Sequence, residues 1–128
     1  MLRSIGAVAA GYLVFAASAV LLFQVSGREP HDDASTAFKI VSIAWGTVSA
    51  LVAGWLTARI AARRGGTHAA VVAVIIAVGA LLSLLARPSD AIWSQVAALV
   101  IMAPGAWIGG VVGGRGTTVR YGRVRPLH

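Results

Sequence analysis

The chain has 128 residues, 58% of them hydrophobic, and carries 11 basic residues against 4 acidic ones, a formal net charge of +7. This composition leaves too little polar surface for a soluble globular protein, and the length leaves no room for a second domain. Because the sequence contains no cysteine, disulfide bonds and thiolate metal sites are excluded. We therefore expect a small, single-domain membrane protein.

Four apolar stretches follow one another along the chain, at residues 5–25, 40–58, 69–86 and 91–112. Each is close to the roughly 20 residues that a helix needs to cross a bilayer, and none has a charged residue in its interior. The first follows Arg3 as in a secretory signal, but its apolar run exceeds the roughly 7–15 residues typical of signals, so we expect a retained helix. We predict an all-α fold, with one four-helix transmembrane domain over residues 1–113 and a basic cytoplasmic tail over residues 114–128.

Turn residues separate these stretches. Asp33 or Ser35 is expected to cap the second helix, and Thr67 the third, because short polar side chains accept hydrogen bonds from the first free N–H groups of a helix. The segment Pro88-Ser89-Asp90 is expected to do the same for the fourth. Such short connections place consecutive helices antiparallel, so we predict an up-down-up-down bundle.

Basic residues are distributed unevenly between the two ends of this bundle. Eight of them, with no acidic residue, flank the end that holds both termini, whereas the other end has three basic and four acidic residues. Short loops rich in arginine and lysine remain cytoplasmic, so we predict that both termini are cytoplasmic. Ten arginines against one lysine are typical of GC-rich codon usage, and we expect a bacterial protein of the inner membrane.

Glycines spaced by four residues predict close helix packing. In the fourth stretch, Gly105, Gly109 and Gly113 share one helix face, and small residues let the backbones of membrane helices approach each other. Further candidates for helix packing are Gly11, Gly46 and Gly54. Pro104 removes a backbone hydrogen bond to Val100 and is expected to kink the fourth helix.

Hydroxyl side chains form a second pattern, since Ser42, Ser49 and Thr57 share one face of the second stretch. They either lie between closely packed helices, the interpretation that we favour, or line an aqueous path in an oligomer. No Asp, Glu, His, Lys or Arg lies within any stretch, which argues against ion-coupled carriers and proton pumps. The intramembrane glutamate of small multidrug transporters and the polar filter motif of small fluoride channels are also missing.

Five arginines near the basic end are candidates for contact with anionic lipid headgroups, because positive charge beside membrane helices attracts acidic lipids. They are Arg59, Arg63, Arg64, Arg115 and Arg120. Because contact with the membrane already explains the net positive charge, we do not expect nucleic acid as a partner. His31, Asp32 and Asp33 have metal-ligand chemistry, but neighbouring loop residues rarely converge on one ion, so we expect a solvated acidic loop, no metal and no cofactor.

Three short motifs resemble an uncharacterised class of small bacterial four-span membrane proteins. They are Leu2-Arg3-Ser4 with Gly11-Tyr12-Leu13-Val14-Phe15, the run from Ala53 to Ala61, and Ala103-Pro104-Gly105-Ala106 with Gly109-Gly110. The resemblance covers part of the chain and implies the number of spans. It brings no activity, substrate or cofactor.

The sequence therefore favours a role without catalysis. No nucleophile and base fall at one depth of the membrane, so we do not expect an enzyme. Since the strong features all serve insertion and helix packing, we predict a structural or accessory subunit, or a scaffold, of a membrane complex, with the bilayer and either a protein partner or further copies of the chain as partners. The alternative is an oligomeric passive channel or carrier for a small solute, built around the hydroxyl face.

Overall fold

The structure, a computed structural model, describes residues 1–29, 32–87 and 92–118, and all regular structure in these residues is helical. The first three helices are α1 (Leu2–Ser26), α2 (Thr36–Ala61) and α3 (Gly65–Ala86). The fourth, α4, covers residues 93–118; it is α-helical over Trp93–Ala97 and Ala103–Thr118 and π-helical over Ala98–Met102. All four are long and apolar enough to cross a bilayer. The prediction of an all-α protein with four candidate spans is thus confirmed.

The helices extend beyond the apolar stretches that predicted them. Helices α2 and α3 each begin four residues earlier than predicted, at Thr36 and Gly65, and α4 continues to Thr118, five residues into the expected tail. Hydropathy reports which residues suit hydrocarbon, whereas backbone hydrogen bonding continues through more polar residues until a cap or a turn ends it. The apolar stretch therefore gives the span but not the length of the helix.

The connection between α1 and α2 uses capping interactions at both ends. Helix α1 ends at Gly27, whose φ of 65° is left-handed, and the N–H of Arg28 then donates to the carbonyl of Phe23 at 3.2 Å. Helix α2 begins at Ser35, whose hydroxyl accepts the N–H of Phe38 at 3.3 Å. Of the two residues expected to cap α2, the serine is the one that does so.

The prediction that Thr67 caps α3 is wrong. Its first helical residue is Gly65, so Thr67 lies inside the first turn, and the N-cap residue Arg64 makes no side-chain capping bond. The chain reverses through positive φ values at Ala62 (60°) and Arg64 (50°), so the turn needs neither glycine. Gly65 is instead required by packing, because a Cβ there would lie 2.7 Å from the Cβ of Ala58. The residues expected to cap α4, Pro88 to Asp90, lie outside the described residues.

Helix α4 accommodates its proline through a wider turn. The N–H of Ala103 donates to the carbonyl of Ala98, five residues earlier, which is π-helical hydrogen bonding. The next residue, Pro104, has no N–H to donate to Val100, and its ring would crowd that carbonyl in a regular α-helix. The π-helical turn thus lies directly before the proline, where a regular α-helical hydrogen bond cannot form.

The four helices pack into one bundle around small side chains. Helices α2 and α3 contact each other and both remaining helices, whereas no Cα atoms of α1 and α4 lie within 8 Å of each other in the described residues. The start of α1 lies beside the end of α2, because the Arg3 side chain donates to the carbonyl of Ile60 at 2.7 Å. The core residues are Ala50, Val72, Ile76, Ala103 and Ala106. Alanine at most of these positions allows the helices to approach closely.

Candidate functional site

The backbones of α2 and α4 touch at glycine. A Cβ on Gly109 would lie 2.8 Å from the carbonyl carbon of Leu51 and closer still to its oxygen, and a Cβ on Gly54 would overlap the carbonyl of Ala106. Real Cβ atoms essentially never approach backbone atoms this closely. Only glycine therefore fits at these two positions, and the centre of the bundle is closed by backbone-to-backbone contact.

The other predicted packing glycines are also buried, but their surroundings differ. Gly11 lies against Thr57 and the backbone of Ala53, and Gly113 lies against the backbone of Trp55. Gly46 faces only the flexible side chain of Met102, and Gly105 has room for a methyl group, since its nearest neighbours would be Ala50 Cβ at 3.9 Å and Thr47 O at 4.0 Å. Equal spacing along α4 therefore does not mean equal packing.

The three hydroxyls predicted to form one stripe have different environments. Thr57 is fully buried, and its hydroxyl donates to the carbonyl of Ala53 at 2.8 Å. Ser49 is half-buried and lines none of the described cavities. Ser42 is 3% exposed and lines a cavity, and its hydroxyl has no hydrogen-bond partner in the part of the chain that the structure describes. Of the three, Ser42 is thus the candidate for contact with a ligand.

The cavity beside Ser42 is lined by residues of all four helices, is open on one side, and has a volume of about 580 Å³. We call it the serine cavity, since Ser18, Ser42, Ser83 and Ser94 all line it. Its volume lies within the roughly 300–1,000 Å³ typical of small-molecule sites. Phe15, Ile76 and Met102 line its deep part, next to the core, and Gln24, Arg28 and Glu29 line its mouth.

A polar cluster joins α3 to α4 within the serine cavity. The Ser94 hydroxyl donates to Gln95 Oε1 at 3.0 Å, and Gln95 Nε2 donates to the Ser83 hydroxyl at 3.5 Å. Gln95 is only 7% exposed. Sequence reasoning did not single out these residues as a site, although a glutamine inside an apolar stretch is the signal that could have found them, because a buried amide needs partners.

Aromatic rings surround the mouth of the serine cavity. The ring of Phe38 lies 6.3 Å from that of Phe23 and 6.2 Å from that of Trp93, in edge-to-face arrangements, and the Arg28 guanidinium lies 5.0 Å from the Phe38 ring centre. The Trp93 indole N–H donates to the carbonyl of Asp32 at 3.1 Å. These contacts tie the first connection to the start of α4.

The acidic loop beside this mouth makes local contacts. Asp32 accepts the N–H of Glu29 at 3.1 Å, and Asp33 pairs with the Lys39 ammonium at 3.2 Å. The hydrogen bond from Lys39, then that from the N–H of Ala34, and then the Lys39 charge lower the pKa of the Asp33 carboxyl below its ordinary value. Within the described residues no three potential metal ligands come together. His31 lies outside them.

A second cavity, of about 1,110 Å³, lies at the opposite end of the bundle, and we call it the arginine cavity because Arg3, Arg63, Arg64 and Arg115 line it. The four arginines come from the start of α1, the α2–α3 connection and the end of α4, and among the described residues no acidic one lines the cavity. Arg59 instead stacks on the ring of Trp55, 5.0 Å from the ring centre. Arg120, the remaining predicted lipid-contact residue, lies outside the described residues.

Comparison with known proteins finds no family model, no curated protein and no solved structure that matches the chain.

Proposed function

We propose that this protein is a non-enzymatic, multi-pass protein of the bacterial inner membrane that acts as an accessory subunit or scaffold of a membrane complex. The observation that carries the proposal is the closed centre of the bundle, where Gly54 and Gly109 bring the backbones of α2 and α4 into contact. Thr57, about one turn further along α2 than Gly54, is fully buried, and its hydroxyl donates within its own helix. A bundle closed in this way suits a rigid partner-binding element better than a conduit.

We further propose an up-down-up-down arrangement with both termini in the cytoplasm. The charge distribution supports it, because four arginines from three chain segments gather around the arginine cavity, while the described acidic residues, Glu29, Asp32 and Asp33, lie in the connection between α1 and α2 at the other end. Excess positive charge favours retention of that end in the cytoplasm. A membrane surface rich in anionic lipid would then face the arginine cavity.

The test is to solubilise native membranes gently, purify the tagged chain and determine the composition and mass of what is recovered. The proposal predicts a stoichiometric complex with a larger membrane protein. Chemical cross-linking should connect that partner to one face of the bundle. The matched measurement is solute flux through liposomes that contain the purified chain alone, for which we expect no flux. A homo-oligomer without another partner, together with flux, would overturn the proposal and favour a passive channel.

A further inference from the structure

The Ser42 hydroxyl differs from neighbouring hydroxyls in its hydrogen bonding. Ser18, Thr47 and Thr57 each donate to a carbonyl of their own helix, at 2.7, 2.7 and 2.8 Å. Serine and threonine hydroxyls inside a helix usually form their hydrogen bond in this way. Ser42 is equally helical and is 3% exposed, yet its hydroxyl has no partner among the described residues. It is therefore a buried, unpartnered hydrogen-bond donor in a residue that lines the serine cavity.

An unpartnered donor in a residue that lines an apolar cavity favours a ligand with an oxygen acceptor. A buried hydroxyl without a partner raises the free energy of the empty site, and an entering carbonyl oxygen removes that cost by accepting the hydrogen bond. Gln95 and Ser83 add polar groups on the facing helices. The acceptor of the ligand would thus lie in the outer half of the cavity, beside Ser42.

The shape of the cavity favours a long and slender ligand. On α1 its lining extends from Tyr12 to Gln24, which corresponds to about 18 Å along the helix axis, and it continues beyond the helix to Arg28 and Glu29. The deep end is apolar, with Phe15, Ile76 and Met102, whereas the mouth carries Arg28 and Glu29, whose opposite charges match a neutral or zwitterionic headgroup. The apolar end of the cavity suits a single hydrocarbon chain, and the polar end suits a headgroup. The cavity therefore matches a lipid with a single chain.

The depth of Ser42 fits the same ligand. It lies six residues after the first residue of α2, or about 9 Å along the helix axis. Near the end of a membrane-spanning helix, this is the level at which ester carbonyls meet hydrocarbon chains. We propose that the serine cavity binds one single-chain lipid, with its chain against the deep apolar residues and its ester carbonyl accepting a hydrogen bond from Ser42. The proposal does not depend on the accessory role argued above.

The experiment compares two lipids that differ only at the proposed acceptor. Palmitoyl lysophosphatidylcholine carries an ester carbonyl, and its hexadecyl ether analogue replaces that carbonyl with a methylene group. Each is titrated against the full-length protein in a weakly binding detergent, and occupancy is read by native mass spectrometry. We expect one bound lipid per chain and about fivefold tighter binding of the ester, the difference that one net hydrogen bond provides.

Two variants assign the binding to the cavity and to the hydroxyl. Ser42→Ala should bind both lipids equally, at the level of the ether in the unaltered chain, without loss of stability because the hydroxyl removed has no partner. Ser49→Ala, on the same helix but outside the cavity, is the matched control and should retain the fivefold preference. If the two serine variants behave alike, the hydrogen bond does not exist.

Gly79→Leu provides an independent test of the location. Gly79 lines the serine cavity, and nothing lies within 4 Å of an added Cβ, so a leucine side chain has space to enter it. We expect both lipids to lose at least tenfold in affinity while helicity and thermal stability are unchanged. Stoichiometric binding that survives this substitution, or no saturable binding of either lipid to the unaltered chain, would overturn the proposal.

Discussion

Replacing Gly109 with alanine should destabilise the bundle, whereas the same change at Gly105, one turn earlier, should not. Both residues are buried on the same face of α4. At Gly109 the added methyl group would meet the Leu51 backbone, with the carbonyl carbon at 2.8 Å and Cα at 2.9 Å. At Gly105 the closest atoms would be 3.9 Å away, an ordinary van der Waals distance.

The geometry gives the size of the effect. An ordinary contact begins near 3.4 Å, so the backbones of α2 and α4 must separate by at least about 0.6 Å to admit the methyl group of Gly109→Ala. Overpacking of this kind costs about 1–3 kcal/mol, and we expect the upper part of that range because rigid backbone, not a side chain, must move. Gly105→Ala avoids this strain, and the gain in helix propensity, up to about 1 kcal/mol, is common to both variants. The two variants should therefore differ by the overpacking cost alone, about 2–3 kcal/mol.

The assay is unfolding of the purified protein in mixed micelles by increasing fractions of sodium dodecyl sulfate, followed by tryptophan fluorescence. Gly109→Ala should unfold at a lower fraction than the unaltered chain, and Gly105→Ala at an equal or higher one. Gly79→Ala is a second control, since none of the described atoms lies within 4 Å of its added Cβ. If the variants at 105 and 109 unfold together, the close approach of α2 and α4 at Leu51 is not present in the membrane protein.

Three further predictions concern the topology, the serine cavity and the acidic loop. A cytoplasm-active reporter fused after residue 128 should be active and a periplasm-active one inactive; the reverse would refute the proposed orientation. In this cysteine-free chain, Ser42→Cys should react with a small thiol reagent, and saturating single-chain lipid should protect it. Thr57→Cys, fully buried against α1, should stay unreactive. Equal reaction rates of the two cysteines would show that the cavity does not make position 42 more accessible than position 57. The Asp33 carboxyl should titrate below its ordinary pKa, so the stabilisation from its pairing with Lys39 is present above that value and is lost as the pH falls through the lowered pKa. Carbon NMR titration measures this directly, and Lys39→Gln should raise the pKa; an unchanged value in that variant would disprove the pairing.

The number of spans and the separation of charge could be predicted from the sequence, because both depend on properties of individual residues. A segment that crosses hydrocarbon must satisfy its backbone internally and must be apolar along its length, so composition alone indicates a helix. The difference in charge between the two ends likewise follows from the residues of the loops. Capping was less predictable: Ser35 caps α2, but Thr67 does not cap α3, because packing against Ala58 places Gly65 inside the helix.

Only the tertiary structure distinguishes residues that look alike in the sequence. Gly105 and Gly109 have the same spacing pattern, yet one has room for a methyl group and the other touches the backbone of Leu51. Ser42 and Thr57 share a helix face, yet the Thr57 hydroxyl donates within its own helix, whereas the Ser42 hydroxyl has no partner among the described residues. Spacing fixes the direction in which a residue points, whereas the distance to the neighbouring helix depends on the side chains of that helix. The close contacts and the serine cavity therefore follow from how four helices fit together, which no single helix specifies.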